Sequence, residues 1–260
     1  MNKKERVLAA LKDGEVDQIP WTMYKSYPPW GERELEFRND GLSMVYQHFP
    51  ICLSDNKEVD VTENNTIELK HGGGRNRVNR NFRTKAGEVT TTHELPANSI
   101  PSPGDLIQLF GSGIDQELLS WVTSYPFQKE GDYETLEYIY RNFEFHLNND
   151  EFVKTERIVG NEGVVFAMMG KSPFQIILYE LMGVERCFLE YLDHPMKFKR
   201  LYEVLYEKQK EKFLLASESD ALLYWMPENL TSILTPPAYF EEFYVPFYNE
   251  MADILHRKNK

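Results

Sequence analysis

The 260-residue chain has a formal net charge of -12, and 42% of its residues are hydrophobic. The hydrophobic fraction is sufficient for a sizeable core, in one large α/β domain or two smaller ones. The acidic balance argues against nucleic acid or an anionic membrane as a partner, because binding phosphate groups needs clustered Lys and Arg. We therefore expect a soluble protein that handles a small molecule.

The amino-terminal stretch MNKKERVLAALKDGE has the positive charge of a signal peptide, but Lys12 and Asp13 interrupt its short apolar run. No later stretch approaches the length of a membrane span. The cysteines, Cys52 and Cys187, belong to no C-x-x-C pair, so we expect buried thiols and no disulfide framework or zinc knuckle. These features predict a cytoplasmic location.

The first predicted elements are one helix and two short strands. Asn2 is placed to cap a helix that Gly14 ends. The apolar run DQIPWTMY, around Ile19, predicts a strand, and the run FPICLSD predicts another around Ile51 to Leu53.

Residues 58–95 differ in character, because Thr, Val, Asn and Gly are frequent in them. Glycine turns are predicted at Gly72 to Gly74 and at Lys85 to Gly87. This segment is expected to form an antiparallel β-meander of two or three strands.

The second half of the chain alternates predicted helices and strands. Helices are predicted for GDYETLEYIYRNF and NNDEFVKTERIV, and a buried strand for EGVVFAMMG. Ser172 is predicted to cap a helix that Pro173 opens and Gly183 closes, and Pro195 opens a long helix to about Phe213. DALLYWM predicts a further strand, followed by a final helix in TPPAYFEEFYVPFYNEMADILHRKNK. This order favours a parallel sheet with helices outside it.

Common short motifs for phosphate, ester or metal chemistry are incomplete in this chain. GKS at Gly170 to Ser172 lacks the earlier glycine of a phosphate-binding loop, since Val165 stands there. No G-x-S-x-G string accompanies the HGGG at His71 to Gly74, which favours a hairpin turn. The six histidines form no H-x-x-x-H or H-E-x-x-H pair, so no metal ligands are predicted.

The ends of the predicted parallel strands are better candidates for a site, because function gathers at the carboxyl ends of such strands. Glu228 and Asn229 follow an apolar strand in a loop flanked by prolines. The carboxylate suits acid, base or metal-binding roles and the amide suits substrate orientation, so both are candidate catalytic residues. A Glu228 that only caps a helix or faces solvent is an equally good interpretation. Aromatic residues such as Tyr24, Trp30 and Tyr224 could line a pocket for a flat or methylated ligand, although core packing explains most of the aromatics better.

Four segments in order, spread over nearly the whole chain, resemble the uroporphyrinogen decarboxylase superfamily. They are NKKERVLAALKDGEVDQIPW, YPFQKEGDYETLEYI, GKSPFQIILYELMGVERCFLEYLDHPMKFKRLYEVL and ENLTSILTPPAYFEEFYVPFYNEMADILHRKNK. The most specific parts are the SPF helix start with the MGVERCFLEYLDHP that follows, and TPPAYFEEFYVPFY. The resemblance implies a single TIM-type (β/α)8 barrel domain over residues 1–260, with an active site at its carboxyl mouth and the β-meander as an insertion. Met168 and Ser172 would then be mouth residues that bind substrate, together with Tyr24 and Tyr224.

The superfamily has two main chemistries, and the resemblance is closer to one of them. Its decarboxylases have an Arg-containing RQAGR stretch after the first strand, whereas this chain has WTMYKSYPPWGERELEF there. A substrate with many carboxylates needs cationic partners, so tetrapyrrole decarboxylation is the less favoured alternative. The other branch transfers a methyl group between a corrinoid (cobalamin) protein and a thiol or related acceptor, with zinc activating the thiol. The family's zinc ligands, an H-x-C segment and a later cysteine, are absent from this sequence.

Only four barrel strands are predicted, near Ile19, Ile51, Val164 and Leu222, whereas a closed barrel needs eight. We therefore expect about half a barrel, from a fragment, a truncated gene product or one half of an assembly. Its open edge would favour self-association. The alternatives are a complete smaller α/β domain and a non-catalytic truncated paralogue that binds a corrinoid protein or a sister chain.

Overall fold

The computed structural model describes residues 1–25, 31–54, 57–68, 75–96 and 121–260. Trp30 and the predicted turn at Gly72 to Gly74 lie outside these ranges. The described residues form a mixed α/β structure that contains a parallel sheet, an antiparallel sheet and a layer of helices. None of the helices in these ranges is long and apolar enough to cross a membrane.

Four parallel strands form the first sheet, in the spatial order β1-β2-β9-β10. Their bounds are Thr22–Tyr24, Ser43–His48, Gly163–Met168 and Leu223–Trp225. The predicted strands around Val164 and Leu222 are confirmed, and the first strand begins later than predicted. Ile19 precedes it and is 89% exposed.

The prediction that Ile51 belongs to a parallel strand is wrong. The parallel strand is β2, whose first three residues are buried between β1 and β9. Pro50 follows β2, and it has no backbone N–H for a sheet. β3 (Ile51–Leu53) then pairs antiparallel with β8 (Phe145–Leu147) in a separate two-stranded sheet.

The predicted β-meander is confirmed and has one strand more than expected. Its antiparallel strands are β4 (Asp60–Glu68), β5 (Arg75–Thr84), β6 (Gly87–Pro96) and β7 (Trp121–Ser124), in that order. Phe82 and Val89 are buried in the core that the meander shares with the helices. The Thr135 hydroxyl also donates to the Ala86 carbonyl oxygen at 3.2 Å, which attaches the predicted turn between β5 and β6 to a helix.

The helices agree closely with the predicted segments. Their bounds are α1 (Lys3–Leu11), α2 (Glu32–Asn39), α3 (Asp132–Arg141), α4 (Asn149–Val159), α5 (Pro173–Ile176), α6 (Val184–Asp193), α7 (Pro195–Ala216), α8 (Pro237–Tyr239) and α9 (Val245–His256). α5 continues as a π-helical segment, Ile177–Met182, and α8 continues as another, Phe240–Tyr244. A 3-10 turn, Gly160–Glu162, leads from α4 into β9. The sequence analysis did not predict α2.

Local capping explains where several helices begin and end. Asn2 and Glu5 cap each other's backbone N–H groups in a capping box at the start of α1. Gly183 has φ of +77°, a conformation that favours glycine, and it separates the helix of Ile177–Met182 from α6. Pro195 opens α7 as predicted.

The two faces of the parallel sheet have different coverings. Phe152 and Val159 of α4 pack against Val165 and Ala167 on one face. On the other face, Val7 of α1 packs against Val45 and Val164. Successive residues of a strand point to opposite faces, so the odd and even positions of β9 belong to different environments.

The largest apolar core lies among the helices. Leu136 and Ile139 of α3, Phe174 of α5 and Leu201 of α7 are all 0–1% exposed within it. Cys187 lies in the same core as a buried thiol, whereas Cys52 in β3 is only partly buried. The described residues thus place the segment after β9 between the parallel sheet and the helical core.

Candidate functional site

Glu228 and Ser172 meet where the carboxyl ends of β9 and β10 lie side by side. The backbone N–H of Ser172 donates to Oε1 of Glu228 at 2.5 Å, and the Ser172 hydroxyl donates to Oε2 at 2.8 Å. Ser172 is completely buried, and Glu228 is partly buried. Glu228, predicted from its position after a strand, and Ser172, which the family resemblance implies as a mouth residue, are therefore joined by two hydrogen bonds.

Ser172 precedes the first turn of α5, but its hydroxyl does not cap that helix. The side chain makes no capping hydrogen bond, because it donates to Glu228 instead. Ser172 is thus the N-cap residue of α5 as predicted, but its side chain does not supply the capping hydrogen bond. The Glu228 carboxylate accepts the Ser172 backbone N–H at this helix start, where a negative charge also interacts favourably with the helix dipole.

A third donor to Glu228 comes from α9. The Tyr248 hydroxyl donates to Oε2 of Glu228 at 3.0 Å. Burial raises the pKa of Glu228, and the hydrogen bonds from Ser172 and Tyr248 oppose that rise. Burial and the neighbouring Glu228 charge also raise the pKa of Tyr248. The result is a partly buried carboxylate with three donors and a higher proton affinity than an exposed glutamate.

An aromatic surface lies on the face of the parallel sheet that α1 partly covers. The rings of Tyr24 and Trp225 stack with their centroids 5.1 Å apart, and Phe166 meets Trp225 edge-on at 6.4 Å. These three residues line an open cavity, together with Thr22, Met23 and Val45. Met168 pairs in register with Trp225, so it projects from the same face, where it is 3% exposed. Tyr24 and Met168 therefore share one face of the sheet.

Tyr224 lies on the opposite face from Tyr24. Its hydroxyl donates to the Ala216 carbonyl oxygen at 2.7 Å, and its ring packs with the cores beneath α4 and α7. The strand alternation therefore separates Tyr224 from Tyr24, and a substrate-binding role for Tyr224 stays a prediction. Asn229 is exposed next to Glu228, and Trp30 lies outside the described residues.

Tyr248 is the part of this cluster that the sequence did not indicate. It lies twenty residues beyond Glu228, in a helix in which aromatics are frequent. Nothing in that pattern separates the tyrosine that contacts Glu228 from its neighbours Tyr239 and Tyr244. Only the approach of α9 to the β10 loop identifies it.

The described residues do not fit the zinc that the family resemblance implies. Across the described ranges, no group of three or more His, Cys, Asp and Glu side chains could hold a metal ion. Cys187 lies in the helical core, and Cys52 lies in β3. No chemical step is therefore assigned to a metal.

Comparison of the chain with protein-family models, curated proteins and solved structures gave no significant match.

Proposed function

We propose that the protein is a methyltransferase of the uroporphyrinogen decarboxylase superfamily that transfers a methyl group between a corrinoid protein and a thiol or related acceptor. The observation that carries this proposal is the cluster of Glu228, Ser172 and Tyr248 at adjacent carboxyl ends of parallel strands. The sequential order β1-β2-β9-β10 supports it, because the first four strands of a (β/α)8 barrel have this order. A doubly wound sheet reverses its strand order instead.

Methyl transfer to a thiol needs a proton acceptor and a surface for the substrates. The thiol must lose its proton, because the thiolate is the nucleophile. Glu228 is suited to accept this proton, since burial raises its pKa and three donors hold its carboxylate in place. The sulfur then bonds to the methyl carbon, and the electron pair of the cobalt–carbon bond stays on the corrinoid substrate.

The aromatic surface of Tyr24, Phe166 and Trp225 gives a flat apolar contact for one of the two substrates. The six lining residues of its cavity that belong to the described part of the chain include no Arg or Lys. A tetrapyrrole substrate with many carboxylates would need such cations. This favours methyl transfer over the decarboxylase alternative.

The experiment is an anoxic assay of the purified chain with methylcobalamin and a thiol such as 2-mercaptoethanol. We expect the methylcobalamin absorption to decay and the methyl thioether to appear in equal amount by mass spectrometry. Glu228→Gln should slow both by about 100-fold, the usual contribution of a positioned general base. Glu250→Gln is the matched control on α9, because Glu250 pairs with Lys210 and is partly exposed.

A folded chain that produces no thioether above the uncatalysed rate would overturn the proposal. If that chain still shifts the visible spectrum of methylcobalamin, the non-catalytic binding alternative is the correct one. If Glu228→Gln and Glu250→Gln react equally fast, Glu228 is not the proton acceptor.

A further inference from the structure

A small cavity on the helical side of the segment after β9 contains three lysines. Its volume of about 40 Å³ holds about three water molecules or one small ligand group. The apolar walls are Leu53, Tyr140, Phe143, Phe145, Ile176 and Leu205. The polar lining is Gly170, Lys171, Glu180, Lys208, Gln209 and Lys212. None of these residues belongs to the Glu228 cluster.

Lys212 is the most deeply buried of the three lysines. It is 7% exposed, and its Nζ donates to the Met169 carbonyl oxygen at 3.0 Å. Burial lowers the pKa of Lys212 to about 8, and the charge of Glu180 opposes that change. An ammonium group has three N–H donors, so the carbonyl of Met169 satisfies only part of its capacity.

Gln209 brings an acceptor to the same cavity. Its Nε2 donates to the Lys171 carbonyl oxygen at 2.6 Å, which determines the orientation of the amide. Gln209 is only 4% exposed, and its buried Oε1 has no hydrogen-bond partner among the described residues. A buried acceptor without a partner is unfavourable by about 1–3 kcal/mol. A ligand with a hydrogen-bond donor would remove this cost.

The charges around the cavity favour an anion. Lys171 pairs with Glu180 at 2.7 Å, and Lys208 pairs with Glu211, which does not line the cavity, at 2.7 Å. The lining therefore has three lysines against one carboxylate, in a chain whose net charge is -12. The ammonium groups of Lys208 and Lys212 also lie 5.9 Å from the centre of the Phe145 ring.

We propose that this cavity binds a small 2-hydroxycarboxylate, with the carboxylate on Lys212 and the hydroxyl donating to Oε1 of Gln209. The ammonium groups of Lys171 and Lys208 add to the attraction for the carboxylate. The aliphatic walls from Leu53, Ile176 and Leu205 accommodate the short carbon chain. This site is independent of the proposed methyl transfer, since its residues take no part in that reaction.

The test uses calorimetric titration of the full chain at pH 7 with glycolate, acetate, glycolamide and sodium chloride at equal ionic strength. Glycolate should bind saturably with one site per chain. Acetate should bind about fivefold more weakly, because it lacks the hydroxyl hydrogen bond. Glycolamide and chloride should show no saturable binding. Glycolate that binds no better than glycolamide would overturn the proposal.

Lys212→Met and Lys210→Met form a matched pair on α7. Lys210 pairs with Glu250 at 2.7 Å and does not line the cavity. Lys212→Met should weaken glycolate binding about tenfold or more, and Lys210→Met should leave it unchanged. Equal affinity in the two variants would contradict the assignment to Lys212.

A measurement on the wild-type chain avoids any dependence on the folding of Lys212→Met. In methyl-labelled protein, glycolate should shift the NMR signals of Ile176 and Leu205 saturably. Ile254 belongs to a different cluster and should not shift. Binding that shifts Ile254 and leaves Ile176 and Leu205 unchanged would place glycolate elsewhere.

Discussion

Two polar clusters meet in the short segment of residues 169–172, and they bury opposite charges. On one side, the Glu228 carboxylate accepts three hydrogen bonds, from the backbone and hydroxyl of Ser172 and from Tyr248. On the other side, the Lys212 ammonium donates to the Met169 carbonyl oxygen. Burial favours the neutral form of both side chains, so it raises the pKa of Glu228 and lowers the pKa of Lys212.

The two clusters differ in how far neighbouring groups offset the cost of burying the charge. Three donors offset much of the cost of burying the Glu228 charge, whereas one backbone carbonyl and the charge of Glu180 offset less of the cost for Lys212. The Glu228 carboxylate therefore accepts three hydrogen bonds within the protein, whereas Oε1 of Gln209 in the lysine cavity has no partner among the described residues. The following substitutions test this contrast.

The largest expected effect is a pH-dependent stability at Lys212. Its pKa is about 8 in the folded chain against 10.5 for an ordinary lysine. Between these values the unfolded chain binds a proton that the folded chain has released, so stability rises with pH. Relative to Lys212→Met, the wild type should gain on the order of 3 kcal/mol in unfolding free energy from pH 8 to pH 10.5.

Urea unfolding of both proteins across this range measures that gain. The groups that face Lys212 are Lys171, Glu180, Lys208 and Tyr140, and they are present in both proteins, so their titration largely cancels. If the difference in unfolding free energy between the two proteins does not change with pH, burial does not lower the pKa of Lys212.

Glu228→Ala is expected to have the next largest effect on the free energy of unfolding. It leaves the Ser172 backbone N–H, the Ser172 hydroxyl and the Tyr248 hydroxyl without their acceptor. The free energy of unfolding should fall by about 2 kcal/mol in urea titration. The neighbouring Asn229→Ala should change it by less than about 0.5 kcal/mol, since Asn229 is exposed. Equal effects would show that the cluster contributes nothing to stability.

Tyr248→Phe removes one of the three donors and keeps the ring. We expect a loss of about 1 kcal/mol by thermal or urea unfolding. Tyr206→Phe is the comparison, because Tyr206 donates to the partly exposed Glu250, which also pairs with Lys210. That variant should lose less, and a larger loss than in Tyr248→Phe would contradict the ranking.

The smallest expected effect is the pH dependence of stability that Glu228 causes. Three hydrogen bonds oppose the rise in its pKa that burial produces. The pKa of Glu228 is raised above its usual 4.5 in the folded chain, so the folded chain binds this proton more tightly than the unfolded chain. Stability from this group is present below pH 4.5 and is lost as pH rises through the folded pKa. Glu228→Gln should flatten this part of the curve of unfolding free energy against pH. An unchanged curve would show that the pKa of Glu228 is not raised in the folded chain.

Several parts of the site could be predicted from the sequence because they depend on local patterns. Glu228 was recognisable because it follows an apolar strand, where function gathers in parallel sheets, and Ser172 because it stands before the proline that opens a helix. Their hydrogen bonds were not predictable, since they join residues 56 positions apart. The separation of Tyr24 and Tyr224 on opposite faces of the sheet was not predictable either, because the sequence did not determine which face of β10 Tyr224 occupies.

The lysine cavity lay beyond any sequence signal. Lys212 occurs in a helix rich in Lys and Glu, where charged residues usually face solvent. Lys210, two positions earlier, follows that expectation, and Lys212 is buried against Met169. The rotation of α7 relative to the segment after β9 decides between them.

The sequence by itself determined most of the helices, the β-meander and most of the parallel strands, because hydrophobic periodicity, caps and turns act over a few residues. Only the tertiary structure decided that β2, and not Ile51–Leu53, completes the parallel sheet. It also decided which polar residues share a site. Burial and hydrogen bonding between distant residues depend on how the elements pack, and packing is absent from local sequence patterns.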